Sequence, residues 1–83
     1  MSKKEKNASI VKQVRDVIVQ KGLAGKLDIF PVENTFTRRP RYWNDGNVNL
    51  FKVHMWDLNK LDGEQLSNEI LERVNQAVKY FSL

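Results

Sequence analysis

Cations and flat rings are concentrated in one stretch of this chain, Thr35 to Trp56, which reads TFTRRPRYWNDGNVNLFKVHMW. Arginine and lysine attract phosphate, and aromatic faces accept stacked bases. Together they form the chemistry of a surface that holds single-stranded nucleic acid. Tryptophan, tyrosine and arginine also dominate protein interfaces, so a protein partner is the rival reading.

The geometry of the stretch follows from its turn. Asn44-Asp45-Gly46-Asn47 supplies residues that tolerate positive φ, and Asp-Gly is a strong hairpin signal. With Asp45-Gly46 at the turn, Arg41 meets Leu50, Arg39 meets Lys52 and Thr37 meets His54. A turn at Gly46-Asn47 moves the partners by two residues and leaves every side chain on the same face. Phe51, Val53 and Met55 then make the core face, joined by Phe36 from the opposing strand. Arg39, Arg41 and Trp43 join Lys52, His54 and Trp56 on the uncovered face, and these six are the candidate nucleic-acid-binding residues, with His54 peripheral. Arg39 opposite Lys52 sets like charges together, which an intervening anion would relieve. Arg38 and Pro40 fall on the core side, which requires the strand to fray there.

Other chemistry is missing from the chain. His54 is the only histidine and there is no cysteine, so no conventional transition-metal set, thiol nucleophile or disulfide can form. Asp57, Asp62 and Glu64 do not follow the spacing of a calcium loop. No serine triad, paired-carboxylate or phosphate-loop pattern occurs, and the four glycines are scattered. The chain is read as non-enzymatic, without cofactor or metal.

The elements that position the surface are legible from periodicity. Ile10, Val11, Val14, Val17 and Ile18 recur at helical spacing, with Asn7 or Ser9 as caps and Gly22-Leu23 as a left-handed stop. Leu27 to Val32 reads as a short strand, which Pro31 confines to a sheet edge or ends. Asp62 as N-cap, Gln65 in a capping box and a Leu61–Leu66 staple open a second helix, whose stripe is Leu66, Ile70, Val74, Ala77, Val78 and Phe81. The order is α-β-β-β-α. Its simplest packing is an α+β domain with two helices on one face of a small three-stranded antiparallel sheet.

This element order resembles that of double-stranded RNA-binding domains, although Asp62-Gly63-Glu64-Gln65 is acidic where that family opens its second helix with lysines. The N-terminal helix, the strand ending in Ile29-Phe30-Pro31 and the strand FKVHMWD leading into an amphipathic helix are similar to phage tail-completion proteins. Neither likeness carries functional residues over.

Composition bounds these readings. Eighty-three residues support one small core. Residues 1–6 are expected to form a flexible basic tail and residues 7–83 a single domain. Residues 1–54 hold eleven Lys/Arg against five Asp/Glu, a balance of +6, while residues 55–83 hold three against five, a balance of −2. This division favours an anionic partner on one side of the domain. No secretory leader or spanning segment is visible, which sets the expectation of a cytoplasmic protein that does not engage membrane. The expected function is nucleic-acid binding, to single strands or RNA, through the basic and aromatic face of the hairpin. The alternative is a protein-interaction or assembly subunit, such as a viral or phage tail-completion-like component or an inhibitor, with a homo-oligomer among its forms.

Overall fold

The computed structural model describes residues 2–83. Helix α1 spans Lys3–Gln20, strands β1, β2 and β3 span Leu27–Val32, Tyr42–Asp45 and Val48–His54, short helix α2 spans Met55–Leu58, and helix α3 spans Gly63–Phe81.

Helix α1 starts ahead of both expected caps. The Ser2 hydroxyl accepts the Glu5 N–H at 3.1 Å, using the Ser-x-x-Glu spacing of a capping box, so Lys3, Lys4 and Lys6 are helical. Asn7 is buried within the helix. Its Oδ1 accepts Asn59 Nδ2 at 3.0 Å, which ties α1 to the end of α2. Asn7→Ala should cost about 1–3 kcal/mol, because Asn59 loses its acceptor at a part-buried site. A double-mutant cycle with Asn59→Ala checks this: additive losses would show that the bond contributes nothing.

The stop of α1 is the expected one. Gly22 adopts φ 74°, and Leu23 N–H donates to Ile18 C=O at 3.1 Å, closing the six-residue loop of a Schellman cap. At the far end of the chain, Asp62 is the N-cap of α3, but its side chain makes no capping bond; the carboxylate instead pairs with Lys6 Nζ at 2.7 Å.

The sheet is mixed, which corrects the antiparallel expectation. The spatial order is β1-β3-β2. Strand β3 pairs antiparallel with β2 and parallel with β1, in register from Leu27 opposite Asn49 to Val32 opposite His54. The chain therefore leaves β1, crosses beyond β3 through residues 33–41, descends β2 and returns up the middle. Pro31 lies in an edge strand, as its missing N–H demands. The hairpin closes at Gly46-Asn47, with Asp45 opposite Val48 and Gly46 at φ 65°, the residue preference of a type II′ turn.

One buried cluster joins the elements. Ile10, Val14 and Ile18 of α1 and Leu66, Ile70, Val74 and Ala77 of α3 pack with Leu27, Ile29, Phe51 and Val53, while Met55 and Leu58 seal the end through α2. Tyr42, opposite Phe51, extends this layer by stacking on Tyr80 at 4.2 Å and meeting the edge of Phe81 at 5.8 Å. Phe36 does not join it and is 87% exposed, because the chain from Glu33 to Arg41 is a crossing loop, not a strand.

Candidate functional site

Alternation along β1, β2 and β3 turns Phe30, Trp43, Leu50, Lys52 and His54 away from the helix-packed cluster, and all five are half-buried. The crossing loop lies against this side. Lys52 Nζ donates to the Arg39 carbonyl at 2.8 Å, pinning the loop to the middle strand. The Arg39 guanidinium then sits 5.3 Å from the Phe30 ring and 5.1 Å from the Trp43 ring, while those two rings meet edge to face at 5.1 Å. Each such cation–π contact contributes about 0.5–1 kcal/mol when exposed. Arg39 thus occupies the position over Trp43 that a stacked base would need, and Trp43 Nε1 is buried without a hydrogen-bond partner.

A groove of about 650 Å³ opens between the crossing loop, the end of β3 and α2. Lys3, Lys52 and His54 line it with Phe36 and Trp56, and Glu33 is its one carboxylate among the described residues. Trp56 is 44% exposed and stacks on His54 with centroids 4.4 Å apart and planes at 21°. The chain turns helical at Met55, so Trp56 belongs to α2 and not to the strand expected to carry it. The helical turn nevertheless folds its ring back onto His54.

The six sequence candidates therefore divide. Lys52, His54 and Trp56 meet in the groove. Arg39 and Trp43 form the adjoining stack with Phe30. Arg41 sits at the edge, where its backbone carbonyl accepts the Lys52 N–H at 2.8 Å and its Nη2 donates to Gln76 Oε1 of α3 at 3.0 Å. The expected facing of Arg39 and Lys52 is replaced by the backbone-to-ammonium bond, since the observed register sets Lys52 beside Arg41. Among the described residues Lys3, Arg38, Arg39, Arg41 and Lys52 make no ion pair with a carboxylate, so their charge is uncompensated.

Sequence reasoning missed Lys3, Phe30 and Phe36. Lys3 was hidden by the assignment of a tail, and the Ser2-to-Glu5 spacing was the signal that could have corrected it. Phe36 had been given to the core because strand alternation was extended across Pro40. No family model matches this chain, and no curated protein or solved structure matches it significantly.

Proposed function

We propose that the chain is a non-enzymatic module that binds single-stranded nucleic acid in the groove between the crossing loop and α2. The observation that carries this reading is the meeting of exposed Phe36 and Trp56 rings with the uncompensated Lys3 and Lys52 in one open groove. Rings with free faces accept bases without regard to sequence, and flanking ammonium groups hold the backbone between them. Arg38, Arg39 and Arg41 on the adjoining loop extend the positive field beyond the groove.

Titration of labelled single- and double-stranded RNA and DNA at two salt concentrations tests the proposal. A strand that engages three cations should lose roughly twentyfold in affinity between 50 and 200 mM salt, from a slope of about −0.7 per phosphate. Lys52→Ala should weaken binding and flatten that slope by about 0.7 to 1. Absence of binding at the lower salt, or binding that ignores salt, would sink the proposal.

The second reading is a protein interface, in an assembly or inhibitory subunit or between copies of this chain. It is favoured by the 87% exposure of Phe36, a large apolar ring that the described residues leave open to solvent. Under this reading oligonucleotides leave tryptophan emission unchanged, while a partner or self-association shifts it to the blue and Phe36→Ala abolishes the shift.

A further inference from the structure

A second, polar cavity of about 310 Å³ lies where the start of β2, the end of β3, α2 and α3 converge, lined by Arg41, Lys52, His54, Asp57 and Arg73. Lys52 and His54 also line the aromatic groove, so the two spaces share a wall. Each volume is within, or at the lower edge of, the range of small-ligand pockets, and one molecule can place different parts in both.

The charges in the smaller cavity are not equivalent. Arg41 donates to the neutral amide of Gln76 and Lys52 to a backbone carbonyl, so both retain full charge for an incoming anion. Arg73 is held by Glu69 at 2.9 Å and Asp57 at 3.8 Å. Asp57 remains 40% exposed and is the one carboxylate lining the cavity among the described residues. A phosphodiester offers only acceptor oxygens and would be opposed by Asp57. A phosphate monoester loses its second proton near pH 6, and its monoanion keeps one P–OH. That hydroxyl can donate to Asp57 while the other oxygens accept from Arg41 and Lys52.

We infer that this cavity takes the phosphate monoester of a nucleotide whose base lies in the adjoining groove against Phe36 and Trp56. The inference rests on the nucleic-acid reading and narrows it: the nucleotide is terminal, because a monoester belongs to a strand end or to a free nucleotide and never to the strand interior.

The test compares one single-stranded oligonucleotide carrying a terminal phosphate with the same oligonucleotide carrying a terminal hydroxyl, and with a nucleoside monophosphate, near pH 6. The phosphorylated strand should bind at least about tenfold more tightly than the hydroxyl-ended one, the effect of one charge-assisted bond. Arg41→Gln should bring the phosphorylated strand down towards the hydroxyl-ended one. Asp57→Asn should let the phosphorylated strand keep its advantage when the pH is raised from 6 to 8, where the dianion has no proton to donate and the Asp57 carboxylate of the parent opposes it. Both side chains are at the surface, and melting curves establish that each variant is folded. Equal affinity of the two ends, with both binding in a salt-dependent way, overturns the monoester site and leaves the nucleic-acid reading standing. A ratio unchanged in both variants also overturns it. Failure of both strands to bind overturns both readings. A monophosphate that binds as tightly as the phosphorylated strand supports the cavity and assigns it to a free nucleotide.

Discussion

Ile70→Ala should lower the stability of the domain by about 2–5 kcal/mol, the usual loss when a buried isoleucine is cut back to its β-carbon. Ile70 is 2% exposed in the cluster where α3 meets α1 and the sheet. A chain of 83 residues has a total stability of about 4–12 kcal/mol, so this one change removes a large share of it. Leu71 is the control. It is one residue further along the same helix and of the same side-chain volume class, but is 43% exposed. Leu71→Ala should stay within about 0.5 kcal/mol of the parent. Urea melts with unchanged slopes read both numbers, and similar midpoints for the two variants would mean that the buried face of α3 is wrongly assigned.

The second large effect is on binding. Trp56→Ala should reduce affinity for single strands by about 1–3 kcal/mol, the range for loss of one stacking ring. The loss should fall on binding and not on folding, because Trp56 projects from α2 while its neighbours Met55 and Leu58 make the packing contacts. The indole can be followed alone in a Trp43→Phe background, since the chain has two tryptophans. Added oligonucleotide should quench the remaining emission. Trp43 should respond less in the reciprocal Trp56→Phe variant, because Arg39 already covers it. A response confined to Trp43 would move the stacking position to the sheet beneath Arg39.

Part of this architecture is written in local residue patterns and part is not. The stripe of α3 and its start at Asp62 were legible because helical periodicity is local and repeats over five turns. The reason for the start was not legible: Asp62 serves Lys6 across the fold, and a long-range ion pair leaves no trace in spacing. The Gly22-Leu23 stop was readable because positive φ almost demands glycine. Strand order was not. A hairpin specifies its own two strands, but nothing in Leu27 to Val32 says which edge it will join, and only Pro31 announced that it would be an edge. The same gap displaced Phe36. Alternation assigned it to the core on the premise that β2 reached back to Phe36, whereas Pro40 and the need to cross β3 leave that segment without a ladder. Of the candidate site, Lys52 and His54 lay on a regular strand and could be placed, while Trp56 reached the groove through a helical turn that alternation does not describe.

The insertion of β3 between strands that precede it in the chain sets an order of assembly during synthesis. Helix α1 and β1 emerge first, yet β1 has no backbone partner until β3 has been made, since its whole pairing runs from Asn49 to His54. At 5–20 residues per second, the 22 residues from Val32 to His54 (54 − 32) keep β1 waiting for about one to four seconds. During that interval Leu27 and Ile29 are apolar residues without a sheet, and the β2–β3 hairpin is the first part of the sheet that can close from neighbours alone. The nascent chain therefore holds its N-terminal half open until its middle strand arrives, and the interval in which it is most exposed to self-association is fixed by topology, whatever the final stability of the fold.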